Sequence, residues 1–423
     1  MHQRICKWLV VAFESSVQDP SGQLHTEYDG MQLHIKPSQD EYCNLVSVFL
    51  EPEVSDREAL TKINRFFSAM AWKDDQMFIT RGSIAGGALE TDRETPRFNY
   101  REKKRYPYGV ISRFDFEHLQ VVRHPKQQLA LALYREGLGA DQGFYRFLSF
   151  YKIINILRDR VRQQAEWINN NLSKVWDYLG LERLRALQQR GIDIGDYLSG
   201  EGRCAIAHAF EQPIRDPDLP DDIYEIRSDT DLMKGLAQVA IEDELGVPSM
   251  RKIWREHLYE LAGFRDIFGD ELTARLEGGQ SLSLSAFPRL PRISVRLRGH
   301  EHYAGLEALQ MEVLSVQGGT VTLGIRPPAA PMQVLLSLDF PHQNLELLLQ
   351  DLGVDRHHIT YTCDLEVGQL RFLKDLYANG ILEIHDADAG KRLSHKTAFI
   401  PVNIDLRATL QNFQNRIDEL LAR

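Results

Sequence analysis

The sequence predicts an α+β multidomain protein in which a central all-α bundle is flanked by two small α+β domains. Strand and helix signals alternate in the first part of the chain, and apolar residues recur every three or four positions through the middle. Alternating strand patterns return toward the end. Because 423 residues exceed what one core usually accommodates, we expect domains over 1–115, 116–285 and 286–423.

The first part reads as a small sheet with one helix. The strands are expected at Lys7–Phe13, Met31–Ile35 and Asn44–Leu50. Ser55 is suited to cap the helix that follows, because Glu58 lies three residues later, as in a capping box. The glycine-rich stretch 82–87 lacks the Lys-Ser/Thr ending of a phosphate-binding loop and is expected to be an ordinary loop.

The middle part reads as helices joined by short connections, which favours an antiparallel bundle. One long amphipathic helix is expected from Gly143 to Ile168, because its apolar residues form a single broad stripe. A glycine-containing turn at 199–202 precedes the segment that begins at Arg203. The other helices are expected at 126–136, 172–189, 231–245 and 248–264, with a proline-rich acidic loop over 213–220.

The last part returns to strands. Ile293, Val295 and Leu297 alternate with polar residues, so we expect them to face a core. A hairpin is expected around Gly318-Gly319. Further elements are expected as a strand over 359–363, a helix over 369–377 and a C-terminal amphipathic helix over 406–421.

Composition narrows the class of protein. The chain is 43% hydrophobic and 26% charged, as in ordinary globular proteins, and no apolar run reaches the length of a membrane span. Its four cysteines are far apart, which indicates neither a disulfide framework nor a zinc site, and a reducing cytoplasm fits best. We expect no metal and no cofactor. The net charge of −10 argues against a wholly basic nucleic-acid-binding surface, but it leaves room for a local basic site.

Arg203 and His208 are the candidate catalytic residues. Arginine can hold a phosphate with a planar fork of donors, and histidine can move a proton near neutral pH, so together they can support metal-independent RNA cleavage. The same spacing recurs at Arg113 and His118, in a stretch that reads as a strand. The alternative for Arg203 and His208 is structural: an arginine that caps nearby carboxylates, and a histidine packed between helices.

The stretch Gly202-Arg203-Cys204-Ala205-Ile206-Ala207-His208-Ala209 resembles the R-x4-6-H signature of HEPN domains, which are all-helical modules common in prokaryotic RNases. The stretches 133–136 and 144–154 are similar to MauJ-like proteins of methylamine-utilisation clusters and to the related ApeA-like HEPN group. The resemblance covers the helical middle and implies that this part is a HEPN-like helical bundle.

The resemblance also implies a homodimer that cuts RNA without metal, using Arg203 and His208 from both protomers. In such a mechanism, the histidine acts as general acid or base and the arginine stabilises charge on the phosphate. Cys204 departs from the family pattern, in which a polar residue, often asparagine, follows the arginine. The competing hypothesis is therefore a non-catalytic HEPN scaffold or regulatory protein, MauJ-like and linked to amine metabolism or a defence system, whose regulatory partner is unknown.

A basic and aromatic segment at 97–108 is the candidate RNA-binding stretch. Cations for phosphates are interleaved there with rings for base stacking, and the expected contacts are Arg101, Lys103, Lys104 and Arg105. A solvated linker between domains is the alternative. Arg296 and Arg298 form a weaker second patch, for which the alternative is an edge strand protected by charge. The histidine pairs at 300, 302 and 357, 358 lack a third metal ligand and are expected to be surface residues.

Overall fold

The computed structural model confirms a mixed α+β protein. It describes residues 5–17, 22–37, 42–51, 53–89, 114–202, 218–300, 302–325, 330–378, 380–395 and 405–422. The chain divides between Arg251 and Lys252 into two units. The three domains expected over 1–115, 116–285 and 286–423 stay a prediction. Among the described residues, no helix combines the length and apolarity needed to cross a bilayer.

The first unit begins with a five-stranded antiparallel sheet and one long helix. The strand order is β2-β3-β4-β1-β5. Helix α1 starts after Ser55, whose side chain accepts a hydrogen bond from the backbone N–H of Glu58, as the sequence predicts. The elements are β1 (Ile5–Ser15), β2 (Leu24–Tyr28), β3 (Met31–Lys36), β4 (Asn44–Leu50), α1 (Asp56–Asp74) and β5 (Phe78–Leu89).

The stretch 82–87 is a strand, so its assignment to a loop is wrong. It forms part of β5, where Gly82 to Gly87 pair with Ala12 to Lys7 of β1. Small residues there satisfy their backbone hydrogen bonds through a neighbouring strand that is distant in sequence. The local composition could not reveal that partner.

Helices complete the first unit. They are α2 (Pro125–Gly139), α3 (Gly143–Leu157), α4 (Val161–Asn171), α5 (Tyr178–Gln189), α6 (Ile194–Asp196) and α7 (Pro220–Val239). Segments of π-helix follow α6 (Tyr197–Gly202) and α7 (Ala240–Glu244). Their shared core includes Phe147, Phe150 and Ile154 of α3 and Leu232 and Leu236 of α7.

The long helix predicted from Gly143 to Ile168 is two helices. Arg158 has an extended backbone, with φ −137° and ψ 115°, so α3 ends there. The Arg158 carbonyl then accepts a hydrogen bond of 2.8 Å from the Gln164 side chain of α4. The apolar stripe continues across the break because both helices pack into the same core.

A partly buried polar cluster joins the sheet region to the helices. Asp75, at the C-terminal end of α1, accepts hydrogen bonds from the Tyr134 hydroxyl at 2.7 Å and the Lys234 ammonium at 2.5 Å. Gln238 donates to the same hydroxyl at 2.8 Å. Burial raises the pKa of the Tyr134 hydroxyl well above its ordinary value. The first unit is therefore connected by polar contacts as well as by apolar packing.

The second unit contains two antiparallel sheets and short helices. One sheet has the order β11-β10-β9-β8 with β12 beside β10, and the other has the order β14-β13-β6-β7. The strands are β6 (Arg292–Leu297), β7 (Leu309–Gln310), β8 (Glu312–Gln317), β9 (Thr320–Ile325), β10 (Met332–Asp339), β11 (Asn344–Leu347), β12 (Gly353–Val354), β13 (Leu382–Asp386) and β14 (Arg392–His395). The helices are α8 (Met250–Arg255, at the border between the units), α9 (Ala262–Phe268), α10 (Asp270–Glu277), α11 (Cys363–Tyr377) and α12 (Leu406–Leu421).

Several predictions for the second unit are confirmed. Ile293, Val295 and Leu297 of β6 are buried in the core, as their alternation indicates. The hairpin between β8 and β9 turns at Gly318 and Gly319, both of which take a positive φ. The strand predicted over 359–363 is wrong, because Ile359 is 95% exposed in a turn and α11 already begins at Cys363.

Candidate functional site

The candidate catalytic residues Arg203, Cys204 and His208 lie outside the described residues, which stop at Gly202 and resume at Asp218. The candidate RNA contacts Arg101, Lys103, Lys104 and Arg105 also lie outside them, within 90–113. Described elements flank the 203–217 segment on both sides in the sequence. These are the π-helix that follows α6 and the start of α7.

The residues immediately before Arg203 are helical and do not form the predicted glycine turn. The Ser199 hydroxyl donates to the Gly195 carbonyl at 2.6 Å, and Ser199 is buried. At Gly195, a side chain would collide with the Ala165 carbonyl of α4, so glycine permits close packing of the two segments. A π-helix is rare and is frequently found at functional sites. The chain therefore approaches Arg203 along a helical segment packed against α4.

Three buried polar side chains connect this helical segment to α5 and α7. Arg183 of α5 donates from Nε to Asp229 of α7 at 2.7 Å. The Tyr197 hydroxyl donates to the other oxygen of that carboxylate at 2.7 Å and lies 3.2 Å from Arg183 Nη2, from which it accepts. We call Arg183, Tyr197 and Asp229 the buried triad.

The charged side chains of the buried triad are shielded from solvent. Arg183 is 9% exposed and Asp229 is 1% exposed. Loss of solvation raises the pKa of the Asp229 carboxyl above its ordinary value, while the adjacent Arg183 opposes that rise. A buried charge that loses its partner costs far more free energy than a surface charge does. The π-helix after α6 is therefore joined to α5 and α7 by contacts that are costly to break.

Helices α5 and α7 run antiparallel to each other. A side chain at Gly180 of α5 would press on the Asp231 carbonyl of α7, so glycine permits the close approach. Near the other end of α5, Arg190 and Glu225 form a more exposed ion pair at 3.5 Å. Residues later in α5 therefore contact residues earlier in α7. The C-terminal end of α5 lies close to the N-terminal part of α7.

The start of α7 carries exposed apolar residues. Leu219, Ile223 and Tyr224 lie directly after the 203–217 segment, and Tyr224 is 72% exposed. Pro220 occupies the first turn of α7, where its missing N–H costs no hydrogen bond. The predicted acidic loop therefore ends in a helix eleven residues before the expected start at Asp231. An apolar group at a helix start is suited to contact with another protein surface.

The second arginine–histidine pair has a different setting. Arg113 lies outside the described residues, whereas His118 lies in a turn with φ +56°. Its Nε2 lies 3.4 Å from the Glu117 carboxylate. The strand-like interpretation of this stretch is wrong, because 114–118 takes part in no strand. A histidine in a turn beside a carboxylate does not form part of a helical R-x4-H arrangement.

The remaining candidate residues are engaged in ion pairs of the second unit. Arg296 contacts Glu307 at 2.7 Å and Arg298 contacts Glu383 at 2.8 Å, so both arginines are already paired with carboxylates. Strand β6 pairs with β13 along Ile293–Leu297 and with the short β7 only at Arg292 and Ile293, so the edge-strand alternative for Arg296 and Arg298 stays a prediction.

The histidines predicted to be surface residues also have polar neighbours. His300 lies 3.5 Å from Asp375, and His302 lies 3.0 Å from Glu307. His358 contacts the Thr360 hydroxyl at 2.9 Å. In the described part of the chain, no three histidine, cysteine or acidic side chains converge as a metal site would require.

Sequence reasoning missed the buried triad. Asp229 appears in the sequence as one member of an acidic run between 211 and 231, and Arg183 as one of many charges on a helix. The available signal was position: Asp229 lies one helical turn from the apolar Ile226 and Met233, on the face that becomes buried. An acidic residue on an apolar face requires a buried partner.

Comparison with known protein families gives one match. Residues 130–242 match the family described as methylamine utilization protein MauJ, which confirms the MauJ-like resemblance over roughly a quarter of the chain. The matched stretch contains α3 to α7, the buried triad and the 203–217 segment. No curated protein and no solved structure shows a significant match to the chain.

Proposed function

We propose that this protein is a HEPN-like, metal-independent endoribonuclease whose active site contains Arg203 and His208. The observation that carries the proposal is the setting of the motif. The segment that contains it begins after a helical stretch, ends at α7 and lies between elements joined by the buried triad. The whole arrangement falls within the MauJ-like stretch 130–242.

The proposed reaction is a transesterification within RNA. The ribose 2′-oxygen attacks the adjacent phosphorus while the bond from phosphorus to the 5′-oxygen breaks, which leaves a 2′,3′-cyclic phosphate and a 5′-hydroxyl. His208 of one protomer accepts the 2′-hydroxyl proton, and a second acid donates a proton to the leaving oxygen. Arg203 holds the non-bridging phosphate oxygens and stabilises the charge that develops there.

A homodimer would supply the second acid. One arginine and one histidine make a sparse active site, and two copies of the motif that face one cleft would provide both a base and an acid. The exposed group Leu219, Ile223 and Tyr224 favours this arrangement, since it follows the motif segment closely in the sequence. Arg101, Lys103, Lys104 and Arg105 are the proposed contacts to the RNA backbone.

The second candidate function is a non-catalytic HEPN scaffold or accessory protein. Two observations favour it. Cys204 stands where a polar residue is common, and in a helical segment it shares a face with His208 four residues later. The description of the matching family names methylamine utilization, which favours an accessory role in amine metabolism. In that case the same helices would serve assembly alone.

The test is RNA cleavage by the full chain and by Arg203→Ala and His208→Ala. We expect each variant to lose cleavage by about a hundredfold or more, since a general acid or base such as His208 typically contributes about 10²–10⁴-fold and a group that stabilises transition-state charge, such as Arg203, about 10²–10³-fold. Arg113→Ala is the matched control, because Arg113 belongs to the other pair with the same spacing. The product should carry a 2′,3′-cyclic phosphate whether or not a chelator is present.

Two results would refute the enzyme proposal: wild-type protein that cleaves no RNA, or variants at 203 and 208 that cleave as well as wild type. Cys204→Asn then separates the two candidate functions. A gain of cleavage would identify a weakened enzyme, and an unchanged absence of cleavage would favour the scaffold.

A further inference from the structure

A cavity of about 470 Å³ lies in the first unit, remote in sequence from the motif segment. It is bounded by α1, the first half of β5 and α2. This volume is within the usual range for small-molecule sites. Apolar side chains form much of the wall, including Leu60, Ile79, Ala132 and Ala140.

Arg135 of α2 is the principal cation of this cavity. Its Nη1 donates to the Asn64 backbone carbonyl at 2.8 Å and lies 3.4 Å from the Asn64 side-chain oxygen. Within the described chain, no carboxylate forms an ion pair with Arg135, and its Nε and Nη2 make no hydrogen bond. A guanidinium has five N–H donors, so most of its donors are available to a ligand.

The guanidinium of Arg135 is largely buried and has lost much of its contact with solvent. Loss of solvation, together with the nearby charge of Arg65, lowers the pKa of Arg135 to about 10, while the charge of Glu136 opposes the fall. The side chain stays charged at neutral pH. An anion bound in the cavity would replace the lost solvation and would offset the repulsion from Arg65. Thr80 donates to the Asn64 side-chain oxygen at 3.0 Å, and this bond fixes the wall beside the arginine.

The other charges of the wall favour a ligand with one negative charge. Arg81 is already paired with the buried Glu14 at 2.8 Å, so its charge is largely balanced. Glu136 also lines the cavity and its charge already acts on Arg135, so the wall has little net positive charge and disfavours a ligand with two negative charges. One guanidinium with available donors and an apolar wall fit a carboxylate attached to a hydrocarbon body.

We propose that this cavity binds a monocarboxylate with an apolar body, whose two oxygens receive hydrogen bonds from the Arg135 guanidinium. The hydrocarbon part lies against Leu60, Ile79 and Ala132. Gly139 and Ile79 also line the cavity, and they approach so closely that a side chain at 139 would be tight. The described residues that line the cavity include none of those proposed for RNA cleavage, and binding there can be tested without measuring cleavage.

The test is calorimetric titration of the full chain with octanoate, with 1-octanol as the uncharged isostere and inorganic phosphate as the anion without a hydrocarbon body. We expect octanoate to bind, and octanol and phosphate to bind at least tenfold more weakly. Arg135→Gln should weaken octanoate binding tenfold or more, because a charge-assisted pair of hydrogen bonds is lost. Arg162→Gln is the matched control, since Arg162 is an exposed arginine of α4 outside the cavity.

A second variant separates loss of the site from loss of folding. Ala132→Leu fills the cavity with a good helix former and keeps every charge, so its circular dichroism should match wild type while octanoate binding is lost. The proposal is overturned if octanoate does not bind the wild-type protein. It is overturned as well if octanoate binds the Arg135→Gln variant with the same affinity as the Arg162→Gln control. It is also overturned if phosphate or octanol binds as tightly as octanoate.

Discussion

The buried triad gives the sharpest stability prediction. Asp229→Asn keeps the size of the side chain but removes its charge, and so leaves Arg183 buried with no compensating anion. Asp229 is 1% exposed and Arg183 is 9% exposed, so solvent cannot replace the lost interaction. Removal of one partner from a buried ion pair typically costs about 3–5 kcal/mol. The equilibrium constant for opening of α5 and α7 should therefore rise by about two to three and a half orders of magnitude.

Hydrogen exchange followed by mass spectrometry measures this change in the full chain. Peptides from α5, α7 and the π-helix after α6 should lose protection, whereas peptides from the second unit should not. Glu225→Gln is the matched control, because it removes an acidic residue from the same helix and breaks the exposed pair with Arg190. Exposed pairs contribute about 0–1 kcal/mol, so this control should remain close to wild type.

A triple variant tests whether the loss arises from the uncompensated charge. Arg183→Met, Tyr197→Phe and Asp229→Leu replace all three polar side chains with apolar ones. Such replacements of a buried ion pair are often neutral or stabilising. Protection in the triple variant should therefore exceed that in Asp229→Asn. The reasoning is refuted if the triple variant is as unstable as the single one, or if Asp229→Asn and Glu225→Gln lose equal protection.

Two further predictions concern the second unit. Gly319→Ala should destabilise it by about 1–3 kcal/mol more than Gly318→Ala in urea unfolding, because both glycines have a positive φ but only at 319 would a side chain overlap its neighbours. Equal losses would contradict this account. The Arg356 guanidinium holds the pKa of the Glu366 carboxyl below its ordinary value of 4.5. Its ionised form therefore contributes stability that is present above that pH and is lost as pH falls through the lowered pKa. Acid unfolding of Glu366→Gln should depend less on pH below 4.5 than that of wild type, and an unchanged pH dependence would refute it.

The sequence alone located those helices and strands whose hydrophobic pattern is complete within the element itself. The C-terminal helix Leu406–Leu421 and strand Asn44–Leu50 have the predicted bounds, because one apolar face or one alternating run defines each of them. The cap at Ser55 was predictable for the same reason, since it depends on residues within one turn.

The errors occur where distant residues decide the local structure. The glycine-rich part of β5 is extended because β1 pairs with it along the sheet. The break at Arg158 interrupts an apolar stripe that both flanking helices continue. In the candidate site, the 203–208 spacing was visible in the sequence, but Arg183, Tyr197 and Asp229 meet only after three helical segments have packed.

The two arginine–histidine pairs show why surroundings matter more than spacing. His118 lies in a turn beside Glu117, seven residues before α2 begins at Pro125. The pair at Arg203 and His208 follows directly from a helical segment and precedes α7, and the buried triad joins those two flanking elements. A phosphate site needs its arginine and histidine held within a fraction of an ångström of the productive geometry. The described elements that flank the second pair in sequence are joined by buried polar contacts, so we expect loss of cleavage at Arg203 but not at Arg113.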